Sequence, residues 1–533
     1  MVANGYRVAF ALTFVGLIPA FEIARQTDVS RPSGHVILRS MTRTTSLAST
    51  RSVATEGTKS TKSQSAGQSD ASDDRNARFL AARALITKTG SAAFAVDRLE
   101  SNKHYSTLST RDRSFARLLV TTTERRLGQI DEVLRQCQKE TKSRPNRVDQ
   151  FVQAALRIGA TQLLFLKVPE HAAVKETVEL LRHDPKTTVP ESRIKFVNAV
   201  LRRISREGDV LLATTDVTQN ASPWLVKEWQ KSWGEEATRK IVALAMEETP
   251  RVLTIKQHPG SQLEKPMGRI KAVAALFEDS EILPQGSVRV NTSPPGSIIN
   301  WPEYSEGSWW LQDAAATTPA IALYNALSKN GETSVAGLDV VDMCASPGGK
   351  TAQLWNYGFA SVTAVEVAEK RTERLRQNMQ RLNMDCEVVV ADGAQWTSQH
   401  ESVAGMLLDV PCTATGTGSK RPDVLRREEN CQELLETQFR LACHAIDSIL
   451  GPGGILVYAT CSLLRKESED QVNKLLNRNE GARVETIPIT PGEIPGFDDA
   501  IDENGWLRVI PGTLEGGLSQ CDGFFVARLK KIS

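Results

Sequence analysis

The sequence predicts a multidomain chain: an all-α helical bundle followed by a doubly wound, Rossmann-like α/β domain. Three observations predict it. Residues 76–208 carry apolar positions at helical spacing, residues from 305 onward alternate short apolar strands with helices, and the small-residue and cysteine motifs fall where those strands end. At 533 residues the chain is too long for one core. Apolar content of 40% and charged content of 24% are those of a soluble globular protein. A formal charge of +2 confines any polyanion-binding surface to a local patch. Arg193, Lys195, Arg202 and Arg203 offer one, although such a run is equally a solvated helix face.

The first 75 residues read as address rather than fold. Arg7 precedes an uncharged apolar run at 8–20, too short to span a bilayer and suited to the core of a signal peptide, with a small-residue junction at Pro19-Ala20 before Phe21. Residues 29–55 hold Arg31, Arg39, Arg43 and Arg51, many Ser and Thr, and no Asp or Glu, which is transit-peptide composition. Together these resemble the bipartite presequences of algae with secondary plastids. A plastid (chloroplast) destination is expected, with the mitochondrion as alternative and no membrane for the mature form. The polar stretch 56–74 is expected to be a disordered linker.

In the helical region, Val152, Ala155, Leu156, Gly159, Leu163 and Leu166 share one face; Pro169 closes that helix and 174–181 starts another. Further helices are expected at 77–88, 111–138 and 193–206. A mixed connecting region, 209–304, opens with a helix capped by Ser222-Pro223 and holds weak strands at 252–256 and 286–291. Beyond 305, strands fit at 338–343, 361–366, 386–390, 404–409, 453–459 and 523–529, with helices at 349–356, 367–382, 428–450 and 465–477. Ligands of such sheets bind beyond the carboxyl ends of the strands, where the strand order reverses.

The motifs lie there. Asp342-Met343-Cys344-Ala345-Ser346-Pro347-Gly348-Gly349-Lys350-Thr351 is a close-approach turn leading into a helix start. It has neither P-loop nor G-x-G-x-x-G spacing, and alone it could be a mere strand–helix connection. Asp342, Glu366, Asp392 and Asp409 then stand at four consecutive strand ends. Singly each is a cap or turn residue; as an ordered set they suit a neutral-to-cationic adenosyl ligand, S-adenosylmethionine, better than a phosphorylated one. Cys412, in Asp409-Val410-Pro411-Cys412, and Cys461, in Thr460-Cys461-Ser462, also sit at strand ends. One such cysteine is as often a small buried hydrophobe, but the pair beside a cofactor turn points to cysteine-based group transfer. The eight cysteines form no C-x-x-C pair, which argues against a zinc site, a disulfide scaffold or any metal. Cys386, Cys431, Cys443 and Cys521 are read as packing residues, as is Cys344 apart from its place in the turn.

Residues 342–351, 408–415 and 458–462 resemble the motifs of the RsmB/Sun family of RNA cytosine-5 methyltransferases. Gly307-Ser308-Trp309-Trp310-Leu311-Gln312-Asp313 is similar to that family's entry to the catalytic domain, and Asp522-Gly523-Phe524-Phe525-Val526-Ala527 to its last strand. The helical region resembles the NusB-type RNA-binding domain of bacterial members, at 156–163, 171–174 and 196–202. The resemblance implies methylation of cytosine carbon 5 through a covalent adduct. It makes Cys461 the nucleophile and gives Cys412 adduct breakdown and product release. Asp409 is implied to bond the cytosine's polar edge, and Lys350 to line the same pocket. It also implies S-adenosylmethionine held by Cys344, Ala345, Ser346, Pro347, Gly348, Gly349 and Lys350 together with Glu366, Asp392 and Asp409. The implied partner is small-subunit rRNA before or during ribosome assembly, met by a monomer; tRNA is the alternative substrate, and a non-catalytic RNA-binding assembly factor the alternative class. Glu366 departs from the usual Asp by one methylene, Ser346 and Val410 each stand where Ala is common, and Lys420-Arg421 is expected near the RNA backbone.

Overall fold

A computed structural model describes residues 76–86, 95–138, 149–182, 188–257, 266–329, 331, 333–400, 402–427 and 431–532. The expected presequence and linker lie outside them. The helical region comprises α1 (Ala77–Ala84), α2 (Ala95–Glu100), α3 (Thr110–Arg125), α4 (Leu127–Gln138), α5 (Gln150–Leu164), α6 (Glu170–Arg182) and α7 (Glu191–Ala213). Leu80, Leu119, Ile130, Leu156, Val197 and Leu201 meet in one apolar core. Some of its buried polar groups pair internally: Thr123 and Thr161 hydroxyls lie 2.8 Å apart, and Gln162 donates to Thr177. Asp149 caps α5 by accepting the Phe151 amide.

Two helix expectations within the bundle need correction. The helix expected at 111–138 breaks at Arg126, so that α4 can press against the turn Val217–Asn220. Gln129 and Asn220 exchange hydrogen bonds there, at 3.1 and 2.8 Å. The helix expected to end at 206 runs on to Ala213, which carries it past the boundary read at 208.

Next come α8 (Pro223–Ala245), β1 (Arg251–Ile255), α9 (Pro266–Ala274), β2 (Ser280–Ile282), β3 (Val288–Val290) and β4 (Trp309–Leu311). Pro223 opens α8 as expected, but the Ser222 hydroxyl makes no cap bond and faces the Arg427 carbonyl. The four strands form an antiparallel sheet in the order β2-β3-β1-β4. Its fourth strand comes from beyond residue 304, and strands of three residues are too short to show alternation in sequence.

The α/β domain contains α10 (Thr318–Ser328), β5 (Asp339–Met343), α11 (Gly349–Asn356), β6 (Ser361–Glu366), α12 (Glu369–Leu382), β7 (Glu387–Val390), β8 (Val403–Asp409), α13 (Gln432–His444), β9 (Leu450–Thr460), α14 (Glu469–Leu476), β10 (Val484–Thr486), β11 (Leu507–Val509) and β12 (Phe524–Lys531). Strand order is β10-β12-β9-β8-β5-β6-β7, with β11 also on β12. Strands β5 to β9 run parallel, and β12 is antiparallel to β9. The order reverses between β5 and β8, which opens the crevice there. Instead of one helix over 428–450, α13 ends at His444 and a π turn, Ala445–Ile449, leads straight into β9; residues 428–430 are outside the described ones. The helix expected over 465–477 is a 3-10 turn, Arg465–Glu467, broken at Ser468 before α14.

Candidate active site

Strand β5 delivers its chain into the turn at 344–348, and α11 starts beyond it. Cys344 takes a left-handed backbone at φ 62°, unusual for a side chain with a Cβ. Gly348 does the same at φ 98°, and a Cβ there would meet Met379 at 3.0 Å. The Ala345 amide donates to the Val365 carbonyl, and Asn378 of α12 donates to the Pro347 carbonyl, so β6 and α12 fix the turn's shape. Asp342 is fully buried and faces inward, its carboxylate accepting the Thr351 hydroxyl at 2.6 Å. Burial pushes that carboxyl up to about 7. Asp342 therefore anchors α11 and does not line the crevice.

The other strand-end acids are placed as expected. Glu366 is 2% exposed at the end of β6. Its Oε1 accepts the Ala368 amide, whereas the buried Oε2 takes no hydrogen bond, with the Arg371 guanidinium 3.4 Å away. An orphaned, buried acceptor at this position fits a ligand that brings its own donors, as a ribose diol does. Asp392 follows β7 and accepts from the Ala394 amide and the Gln395 side chain. Asp409 ends β8 and pairs with Lys350 at 2.7 Å. Burial works against the Lys350 charge, but Asp409 more than offsets it and holds the ammonium above the ordinary lysine value. That ammonium also lies 5.3 Å from the Phe524 ring.

The two cysteines meet beside this pair. Cys412 Sγ and Cys461 Sγ are 3.6 Å apart, one on the loop after β8 and the other at the end of β9. The contact with Cys412, together with burial, raises the Cys461 thiol well above its usual range; Lys350 pulls the other way. At rest Cys461 is thus a thiol, with a cation poised to favour its thiolate. Two residues after Cys412, Ala414 is left-handed at φ 57°, the second such non-glycine position at the site. Gly416 donates to the Cys461 carbonyl and accepts from the Gly523 amide, both at 2.9 Å. A Cβ on Gly416 would fall 2.5 Å from the Gly523 oxygen, so only glycine permits this junction of three segments.

Nothing in the sequence singles out several supports of the thiols. Glu467 is fully buried and bonded to Thr413 and Ser462, the residues that follow each cysteine. Arg508 donates to the Ser462 carbonyl at 2.9 Å and pairs with Glu469. From α8, Trp233 donates to the Leu463 carbonyl and Trp224 to the Arg427 carbonyl. The expectation for Lys420 is corrected: it turns inward between Asp313 and Asp522 and is held by two carboxylates instead of facing RNA. Arg421 pairs with Asp423. Cys431 and Cys521 are buried and Cys386 and Cys443 half-buried; none is in a disulfide.

A family model described as 16S rRNA methyltransferase RsmB/F matches residues 329–530, and one for the NusB family matches 75–206. Ribosomal RNA small subunit methyltransferase B of Cronobacter sakazakii is 30% identical over 470 residues, covering 86% of this chain and 99% of its own. That of Shewanella oneidensis is 30% identical over 471 residues, covering 86% and 100%. The chain belongs to the RsmB/F family of rRNA methyltransferases. Among solved structures, the crystal structure of PH0851 shares the fold, with a TM-score of 0.60 at 21% identity over 86% of this chain and 98% of that one. The RsmB/F match spans β5 to β12, and the NusB match covers the bundle from α1 into α7. The α/β domain is thus an S-adenosylmethionine-dependent methyltransferase fold joined to a NusB-type helical domain.

Proposed function

We propose that this protein methylates carbon 5 of a cytosine in small-subunit rRNA through a covalent adduct to Cys461. The observation that carries the reading is the approach of two thiols at 3.6 Å beside the Lys350–Asp409 pair. Carbon 5 of cytosine is a weak nucleophile. A thiolate adding to carbon 6 turns the ring into an enamine-like species that can accept a methyl group. Lys350 favours the thiolate of Cys461 by its charge, and Asp409 bonds the cytosine's polar edge as the adduct forms. Breakdown then passes the carbon 5 proton to Cys412 acting as thiolate base, re-forms the C5–C6 double bond and breaks the C6–S bond, returning the Cys461 sulfur as thiolate. A single buried cysteine could attack, but it leaves the second half of the reaction without a partner.

Bound S-adenosylmethionine supplies an electrophilic methyl group on a sulfonium. The turn 344–350 would hold it with Glu366, Asp392 and Asp409, the orphaned Glu366 oxygen taking the ribose diol. The carbon 6 face is reachable only in an unstacked base, so the substrate is a loop or bulge of rRNA not yet packed into the subunit. The helical domain supplies backbone contacts through Lys195, Arg202 and Arg206, exposed on α7; the groove of about 490 Å³ between α6 and α7 is of mixed charge, with Lys175 beside Glu170 and with Arg182 paired to Glu179 and Glu191. We further propose delivery to the plastid by residues 1–75, which a fluorescent fusion of that segment tests; mitochondrial targeting is the competing result.

The test of activity is methyl transfer from labelled S-adenosylmethionine to protein-free small-subunit rRNA, with tRNA alongside, followed by bisulfite sequencing. Label at one rRNA cytosine, absent with Cys461→Ala, is expected. Label on tRNA alone would discard the rRNA assignment, and label retained by Cys461→Ala would discard the adduct.

A further inference from the structure

We propose that Glu467 is a positioning residue that sets the separation of the two thiols, and that it acts chiefly on adduct breakdown. The inference rests on the reaction proposed above. Glu467 lies in the 3-10 turn after β9 and is fully buried. Its Oε2 accepts the hydroxyls of Thr413 and Ser462, each at 2.5 Å. Its Oε1 accepts the Thr413 amide and the Gln438 side chain, each at 3.0 Å. Both Thr413 and Thr415 hydroxyls also lie 3.2 Å from that of Ser462. One carboxylate thus ties together the residues that directly follow Cys412 and Cys461. All four donors are neutral, three from the two cysteine loops and one from Gln438 of α13.

The two loops do not depend on Glu467 equally. Gln438 also donates to the Pro411 carbonyl at 2.9 Å, so the carboxylate brackets Cys412 from both neighbours, directly through Thr413 and through Gln438 on Pro411. Cys461 has independent supports: β9 is paired with β12 up to Thr460 and with β8 up to Ala459, Gly416 bonds the Cys461 carbonyl, and Arg508 bonds that of Ser462. Cys412 keeps side-chain supports of its own, Arg427 on the Thr413 carbonyl at 2.7 Å and Gln438 on Pro411, but lies in a loop beyond Asp409, where the β8 pairing ends, so removing Glu467 frees Cys412 more than Cys461. Reacting groups must be held within about 0.5 Å of productive geometry. Attack by Cys461 should therefore outlast the removal of the carbon 5 proton, and the methylated adduct should accumulate.

The experiment uses the full chain with S-adenosylmethionine and protein-free small-subunit rRNA. Glu467→Ala, Glu467→Gln and Thr413→Val are compared with wild type, Cys412→Ala and Cys461→Ala. Turnover, RNA KM, cofactor affinity, melting temperature and denaturant-stable protein–RNA adduct are measured. Glu467→Ala is expected to lower kcat by roughly 10- to 100-fold with the RNA KM falling alongside it, because a late step then limits turnover, while kcat/KM and cofactor affinity stay within about twofold. Adduct rises above wild type, and adding Glu467→Ala to Cys412→Ala costs little more. Glu467→Gln keeps the shape and recovers part of kcat; Thr413→Val, which removes one hydroxyl, shifts adduct in the same direction if Glu467→Ala does not fold. Should kcat and cofactor affinity fall only in step with the folded fraction, with adduct at or below the wild-type level, Glu467 is structural and the proposal is overturned. A wild type that methylates without any adduct, matched by an active Cys461→Ala, overturns the underlying reaction and this inference with it.

Discussion

The helical bundle and the α/β crevice bury their side chains to different ends. In the bundle, burial is mostly apolar, and its buried polar groups are held by hydrogen bonds within it, as between the Thr123 and Thr161 hydroxyls, or at its edge, as Gln129 is by Asn220 and Arg125 by the Ser419 carbonyl. In the α/β domain, Asp342, Glu366, Glu467 and Arg508 are buried around the crevice, where Thr351 bonds Asp342, Arg371 faces Glu366, and Glu467 and Arg508 hold the segments that follow the two cysteines. Burying charge costs several kcal/mol per ion before its partners are counted. The contrast separates a region organised for stability from one organised to hold reacting groups still.

The sharpest test of that contrast removes the reacting sulfur. Cys461→Ala is expected to cut methyl transfer by roughly 10⁴-fold or more while leaving the melting temperature within a few degrees. Radiolabel transfer and differential scanning calorimetry measure the two halves. The mirror experiment is Leu156→Ala in the bundle, where a fully buried side chain is lost. It should destabilise the helical domain by about 2–5 kcal/mol. Cofactor affinity, measured by calorimetric titration below the transition, should stay at the wild-type value; if it drops as well, the two regions do not divide their labour as described.

Smaller effects probe the crevice alone. Lys350→Met removes the cation that lowers the Cys461 thiol, so the thiol moves further up. Turnover should fall about 10²-fold, and the acid limb of the kcat/KM profile should shift to higher pH, because thiolate now forms only in more alkaline solution. An unshifted limb would remove Lys350 from that role. Least of all, Glu366→Gln should weaken cofactor binding by about tenfold, the loss of one hydrogen bond to a charged acceptor, with the RNA KM unchanged in a filter-binding and kinetics comparison.

The two regions also differ in how far their sequences can be read. Helical spacing around Leu156 shows the bundle, although α5 is its central helix and buries nearly all of its surface, Phe151, Ile158 and Leu164 outside the expected face included, and the alternation from 338 onward shows the parallel sheet. The break at Arg126 is invisible by the same means, since it is decided by Asn220, far along the chain. At the site, Cys412, Cys461 and the turn 344–350 are legible because glycine, proline and cysteine have few other reasons to occur together at strand ends. Glu467 is not. It stands in Arg465-Lys466-Glu467-Ser468-Glu469-Asp470, a run that reads as a solvated helix start. Only the break at Ser468 turns its carboxylate inward. Lys420 errs in the opposite direction: a basic pair beside a loop looks like an RNA contact until Asp313 and Asp522 are seen to close on it. Both cases turn on contacts between residues remote in sequence, which no local pattern encodes.

The antiparallel strand β12 lies against β9 all the way to Thr460, and Gly523 bonds to Gly416 beside the nucleophile. Translation therefore makes Cys461 well before the segment that closes its pocket. A nascent or prematurely stopped chain lacking 523–531 would present β9 as an open, apolar edge with its cysteine unshielded. Cys461 and the strand that closes its pocket are thus made at different times, and the site is complete only once β12 has paired with β9.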